Sequence, residues 1–319
     1  MNEATRWRRA LAQKVAALYA ENPKVAAVAL AGSVARGWAD RHSDIELDVY
    51  WHEPPTDDDR LRIVTGAGRT IDIFWANPPS EAQYQQIFRR TAGYLSQLWP
   101  YEDGEWSEHY YVHGVNIGIS GFLTTTTEGY LADVLQRYTT DDEPQIRLAA
   151  IRHGVALHGA DLIERWQTRA VRFPRPLAVA LVSQQLARDE AWWASDMWVE
   201  RGAHLALMNL FVHIQEKLLR ILLALNRIYL PDPRFKWASQ LMEGMKIKPP
   251  DLALRLEQAF QWEPAVGVAE MQQLIHQTLA LVKLHLSEVD IAFAERWYCQ
   301  RRVVWDQAPA EVASLLFKR

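Results

Sequence analysis

Cysteine is nearly missing from this chain. Cys299 is the only one in 319 residues, which excludes an internal disulfide framework and fits a reducing compartment. Positive charge is not in excess either: 35 Lys and Arg stand against 39 Asp and Glu, a formal charge of −4. A general nucleic-acid binder carries a basic excess or stripe, so nucleic acid is not the expected partner. No uncharged apolar run reaches the length of a membrane span, and the opening MNEATRWRRALAQKV has no apolar core of the signal-peptide kind. The expectation is a soluble, cytoplasmic protein with no membrane partner. Repeats of solenoid period and low-complexity tracts are lacking too. What remains is ordinary globular composition, 49% hydrophobic and 23% charged, in a chain long enough for one large domain or two ordinary ones.

Residues 25–51, VAAVALAGSVARGWADRHSDIELDVYW, carry the densest chemistry. An apolar run over 25–31 has the length of a buried strand and stops at Gly32-Ser33. Ser33 then opens a short helix over about 33–39, where exposed backbone N–H groups favour an anion; a plain N-cap is the alternative. Further on, Asp44, Glu46 and Asp48 alternate with Ile45, Leu47 and Val49. With a side-chain period of two, the carboxylates of such a strand share one face and the aliphatic residues the other. Aligned like charges need a counter-charge, and Mg²⁺ prefers carboxylate oxygens together with substrate phosphates. Arg36 and Arg41 flank the turn and offer guanidinium groups to phosphate, or else pair with Asp40, Asp44 or Glu46.

Gly32-Ser33, Gly37 and Ser43-Asp44-Ile45-Glu46-Leu47 together resemble the signature of the polymerase-beta-like nucleotidyltransferase superfamily, nearest in wording to the antibiotic-modifying, kanamycin-type members. That resemblance implies a third carboxylate from a later apolar strand, and Asp72 within residues 70–75, TIDIFW, matches it. It implies Asp44, Glu46 and Asp72 as catalytic metal ligands for Mg²⁺, two ions in all. Gly32, Ser33, Arg36, Gly37 and Ser43 would form the nucleotide-binding turn for ATP or another nucleoside triphosphate. Asp48 shares the carboxylate face one pair further along, and either orients its neighbours or is exposed.

Around this stretch the chain reads in order as follows. Trp7, Leu11, Val15, Ala16 and Tyr19 space out a helix over 4–20 that Asn22-Pro23 stops. Asp57, Asp58 and Asp59 form a solvated charge run. Residues 61–65 and 70–75 read as strands joined through Gly66-Ala67-Gly68, 80–98 as a helix, and 112–119 as one more strand. From Thr124, where threonines are available as N-caps, the pattern turns helical: 128–138, 145–158, 161–168, 176–200, 203–228, 251–261 and 266–295. The fold class expected is α+β, a small mixed sheet with helices followed by an all-α bundle. Residues 1–125 are then the catalytic domain and 126–319 a helical, substrate-binding domain.

Other constellations weigh less. His109 and His113 are four apart, but nothing supports a zinc-binding helix there. Ser33 lacks the Gly-x-Ser-x-Gly setting of a hydrolase nucleophile. Asn226-Arg227 ends an apolar helix and reads as a structural cap, with a ligand contact as the alternative. The tryptophans at 192–198 and 297–305 read as packing residues, with a stacking platform for a base or sugar as the alternative. The functional expectation is transfer of a nucleoside monophosphate from a triphosphate to a hydroxyl of a small molecule, such as an antibiotic, with release of pyrophosphate. The acceptor is expected between the sheet and the first helices that follow it. The alternatives are an enzyme that nucleotidylates proteins, and a silent nucleotide-binding regulator of antitoxin type.

Overall fold

The computed structural model describes residues 1–56, 59, 95–98, 104–112, 115–187, 190–306 and 312. The first helix, α1 (Glu3–Ala20), begins where the Asn2 side chain accepts from the Thr5 backbone N–H at 2.8 Å, an N-cap bond that satisfies one orphan donor. Its buried stripe is Thr5, Arg8, Ala12, Val15, Ala16 and Tyr19, which agrees with the sequence reading at Val15, Ala16 and Tyr19 but places Arg8 and Ala12 inside where the sequence points to Trp7 and Leu11. Trp7 therefore lies outside, 41% exposed, with the Arg8 guanidinium 4.2 Å from its ring centre.

The chain then forms β1 (Val25–Leu30), a short α2 (Gly32–Arg36) and β2 (Ile45–Trp51). β3 (Leu95–Leu98), β4 (Glu105–Val112) and β5 (Val115–Leu123) follow. After α3 (Thr124–Leu135) and α4 (Asp142–His153) comes β6 (Val155–His158), then α5 (Ala160–Ala170). The six strands form one mixed sheet in the order β3-β4-β5-β2-β1-β6, with β2 antiparallel to β1 and parallel to β5.

The alternation in β2 gives the sheet two unlike faces. Ile45, Leu47, Val49 and Trp51 join Val28, Leu30, Ile117 and Ile119 in a cluster with Ala12, Val15, Ala16 and Tyr19 of α1. All four β2 members are at most 1% exposed, and burying a side chain of this size contributes about 1.5–3 kcal/mol. The opposite face holds Glu46, Asp48 and Tyr50. Tyr50 stacks on Phe122 at 5.7 Å and meets Trp166 of α5 edge-on at 4.8 Å, so that face is covered by helices at its Tyr50 end.

Two compact units result: Met1–Pro174 with Tyr229–Pro233, and Arg175–Ile228 with Arg234–Arg319. Helices do begin at Thr124, but the seam between the units falls at 174/175 rather than at 125/126. The reason is packing: α5 carries Trp166 onto the sheet, and β6 belongs to the sheet itself. The second unit is helical, with α6 (Arg175–Leu186), a 3₁₀ turn at Trp192–Ala194, α7 (Ser195–Glu200), α8 (His204–Leu225) and α9 (Ala238–Gly244). It continues through α10 (Leu252–Gln261), α11 (Pro264–His285) and α12 (Ala292–Cys299). No helix among the described residues is long and apolar enough to cross a membrane.

Several expectations change. The helix read over 145–158 ends at His153, and residues 155–158 instead pair with β1 as an edge strand. The helix read over 266–295 breaks between His285 and Ala292. The Thr124–Thr127 hydroxyls do not cap α3; Thr126 and Thr127 donate to the carbonyls of Gly104 and Leu123. Asp59 accepts from Asn22, Lys24 and Thr56 rather than lying loose in solvent. Residues 95–98 are a strand; the strands read over 61–65 and 70–75 and the rest of the 80–98 helix lie outside the described residues. Asn226 is structural, as read: its amide donates to Leu222 and Ile247 carbonyls and accepts from the Lys246 and Ile247 N–H groups, all at 2.8 Å.

Candidate active site

β1 ends and β2 begins at the same end of the sheet because the two run antiparallel, Leu30 lying opposite Leu47. The Gly32-Ser33 turn is thereby set against the start of the acidic strand, with the Ala31 N–H on the Glu46 carbonyl at 2.9 Å. Gly32 has φ +62, and a Cβ there would fall 1.6 Å from Glu46 Oε2. Glycine is favoured here for the left-handed backbone, and it leaves room for the Glu46 carboxylate to rest on its Cα.

Ser33 is not the cap of α2. Ala31 holds the N-cap position without a side-chain bond, and Ser33 lies inside the helix. Gly37 closes α2 at φ +76, its N–H directed at the carbonyls of Ser33 and Val34. Arg36, the last residue of α2, lies 5.3 Å from the Trp38 ring centre. Burial pulls its guanidinium below the ordinary value, and the negative charge of Glu46 opposes that shift. Two of the expected binding residues, Gly32 by contact and Arg36 by charge, thus interact with Glu46.

Ser43 works inside the loop before β2. Its hydroxyl accepts from the Asp40 N–H at 3.0 Å and donates to the Asp40 carboxylate at 3.1 Å, while the same carboxylate takes the His42 N–H at 2.9 Å. These bonds hold Asp40 below the usual carboxylate range, the His42 N–H first among them. Arg41 turns its side chain to His42, Nε to Nε2 at 2.9 Å.

The three alternating carboxylates differ sharply in surroundings. Asp44 is exposed, Glu46 is half-buried and Asp48 is buried, 6% exposed. Asp48 sits between Ala29 on β1 and Ser120 on β5, with the Tyr50 hydroxyl 3.5 Å away. Burial pushes its carboxyl up to about 7; the Arg147 charge opposes the rise, and Glu46 and Glu105 add to it. A carboxyl so placed is a poor partner for an exposed cation beside Asp44, since its charge is expensive where it lies. Arg147, on α4, pairs with Glu105 and with Glu143 at 2.7 Å and covers the Phe122 ring at 4.7 Å. Nothing in the sequence marks Arg147 out beyond its i,i+4 relation to Glu143.

Asp72 lies outside the described residues. Among the described residues no group of three or more His, Cys, Asp or Glu is gathered closely enough to hold a metal. The pair that remains at the exposed end, Asp44 and Glu46, is chemically suited to Mg²⁺, a hard cation that keeps several waters and completes its shell with substrate phosphates rather than with a full protein cage.

A cavity of about 450 Å³ opens elsewhere, among Ala26, His52, Thr124, Gly159, Asp161 and Arg165. Ala26 lies at the beginning of β1, His52 and Thr124 just past the ends of β2 and β5, and Gly159, Asp161 and Arg165 at the first turns of α5. The length of the strand, about 20 Å, therefore separates the cavity from the Gly32–Glu46 contact. It is not the site of the carboxylates.

No family model matches the chain and no curated protein matches it. Among solved structures, the crystal structure of a nucleotidyltransferase-like protein from Exiguobacterium sibiricum 255-15 is similar over 88% of this chain and 79% of that one, at 11% sequence identity and a TM-score of 0.38. A score at that level does not establish a common fold.

Proposed function

We propose that the chain is a metal-dependent nucleotidyltransferase that moves a nucleoside monophosphate from a nucleoside triphosphate to a hydroxyl of a small molecule. The observation that carries the reading is the contact of Glu46 with Gly32, which joins the acidic residues at the head of β2 to the turn that follows β1. Asp44 and Glu46 would hold Mg²⁺, which supplies charge neutralisation for the phosphates and the leaving group. Arg36 and the backbone N–H groups of the Gly32-Ser33 turn would steady the triphosphate. The acceptor oxygen forms a bond to the α-phosphorus, the bond from that phosphorus to the α–β bridging oxygen breaks, and pyrophosphate leaves. The acceptor proton passes to a carboxylate, for which Asp72 is the proposed base.

The acceptor is proposed to lie over the polar sheet face, on the side walled by α3 to α5. The test is a screen of nucleoside triphosphates with Mg²⁺ against a panel of hydroxylated acceptors and a cell extract, scored by pyrophosphate release and by the fate of labelled nucleotide. Label in a small-molecule fraction supports the proposal; label in a protein band transfers it to protein nucleotidylation. Binding without any release leaves a regulator, and triphosphate affinity equal with Mg²⁺ and with chelator refutes the metal-dependent reading.

A further inference from the structure

The loop that delivers the chain into the acidic strand is held from outside by α1. Arg8 stands on the buried stripe of that helix and is only 4% exposed. A guanidinium in such a place must direct its donors at acceptors, and Arg8 sends them to backbone. Nη1 donates within the helix to the Ala4 carbonyl at 3.1 Å. Nε donates to the Ser43 carbonyl at 2.7 Å and Nη2 to the Arg41 carbonyl at 3.3 Å. Asn2, at the head of the same helix, donates to the Ala39 carbonyl at 2.8 Å. Alternate carbonyls along residues 39–43 therefore all point to α1, and the Asp40–Ser43 bonds lock the loop from inside.

The next residue is Asp44. The Ser43 carbonyl and the Asp44 N–H share one planar peptide unit, so a bond that fixes the oxygen fixes one of the two planes that aim the Asp44 side chain. Arg8 also carries charge: Asp40 and Asp44 both act on it, against the burial that pulls its pKa down. A neutral donor at position 8 could hold a carbonyl but would leave these carboxylates without that counter-charge.

We infer that Arg8 is a positioning residue, which holds the carbonyls of Arg41 and Ser43 so that Asp44 is set beside Glu46 to take a divalent cation with its triphosphate. The inference rests on the function proposed above, and it assigns to a helix residue far from the motif the task of shaping the motif's first carboxylate.

The experiment uses the full chain. Magnesium is titrated against a fixed nucleoside triphosphate by calorimetry in wild type, Arg8→Met and Arg8→Lys, with circular dichroism to confirm folding. Amide hydrogen exchange of peptides covering residues 39–46 is followed in chelator. Outer groups that orient a metal ligand typically change metal affinity by about 10–100-fold. Arg8→Met should therefore need about tenfold more Mg²⁺ or greater for half-saturation, with full binding restored at high Mg²⁺ and with faster exchange over 39–46. Arg8→Lys, which keeps the charge but not the fork of donors, should fall between the two, and it serves as the test if Arg8→Met does not fold. A folded variant with wild-type Mg²⁺ dependence and wild-type exchange overturns the inference and leaves the proposed function standing. Wild-type protein with no Mg²⁺ dependence overturns the function, and the inference with it.

Discussion

Gly32→Ala separates the stability of the turn from its chemistry. The added Cβ would lie 1.6 Å from Glu46 Oε2 and 2.7 Å from Glu46 Cδ. Ordinary carbon–oxygen contact requires the carboxylate to retreat by about 2 Å. The atoms displaced are the far end of a half-buried side chain, which can swing away at little cost. The backbone penalty at φ +62 is about 1–2 kcal/mol for an L-residue. Loss of unfolded-chain freedom on replacing glycine offsets up to about 1 kcal/mol of it. A net loss of about 1 kcal/mol should lower the melting temperature by about 2–4 °C, whereas a displacement of 1 Å or more at a reacting centre can reduce the rate by about 100-fold. Thermal unfolding in chelator and pyrophosphate release, measured on the same preparations, give the two numbers. The double variant Gly32→Ala/Glu46→Ala should be no less active than Glu46→Ala alone, because both changes remove one carboxylate from one place. The reasoning fails if Gly32→Ala keeps wild-type turnover, or if it costs more than about 4 kcal/mol, beyond what backbone strain accounts for.

Three further outcomes are expected. Asp44→Asn should abolish Mg²⁺-dependent triphosphate binding in calorimetry while the protein keeps its native circular dichroism in chelator, because Asp44 is exposed and outside the core. Asp48 has its carboxyl raised to about 7 by burial, so the unfolded chain loses that proton first as pH rises through about 4. Its linkage to folding therefore costs stability between about pH 4 and 7. Asp48→Asn should remove this slope from urea titrations in chelator and stabilise the protein at pH 7. In the second unit, Lys217 is 3% exposed and pairs with Glu190, and the Tyr298 hydroxyl lies 2.8 Å from Lys217 and donates to Glu190 at 3.0 Å. Lys217→Met should cost about 3–5 kcal/mol in denaturant unfolding because it strands a buried carboxylate, and Tyr298→Phe about 1 kcal/mol.

The parts of the fold that the sequence shows are those with a repeating physical signal. Period-two alternation marks β2 and its two faces, and the apolar spacing of α8 and α11 marks the helical unit. β6 is hidden because four residues after a helix, with no turn of their own, continue an apolar pattern that fits either period. Within the site, Gly32, Glu46 and Arg36 are legible from the motif, and their mutual contact follows from the antiparallel return of β2 on β1. The difference between Asp44 and Asp48 is not legible, because both look alike in an alternating run; only Ala29, Ser120 and Arg147, brought from three other elements, decide which is buried. Arg8 is hidden for the opposite reason. In Arg6-Trp7-Arg8-Arg9 one arginine resembles its neighbours, and the helix phase that buries it is set by Thr5 and Ala12 rather than by the more conspicuous Trp7.

The return of the chain at Tyr229–Pro233 to the unit that began at Met1 has a consequence during synthesis. Tyr229, 1% exposed, stacks on Phe173 at 4.8 Å and donates to the Arg172 carbonyl. A nascent chain that has left the ribosome as far as Pro174 carries the whole described sheet but lacks the ring that covers its last residues. Residues 175–228 are made in between, ahead of their own partners beyond Arg234. The segment that completes the first unit is therefore made only after the first stretch of the second. A break made at the seam at 174/175 would leave an aromatic surface bare on the amino-terminal fragment.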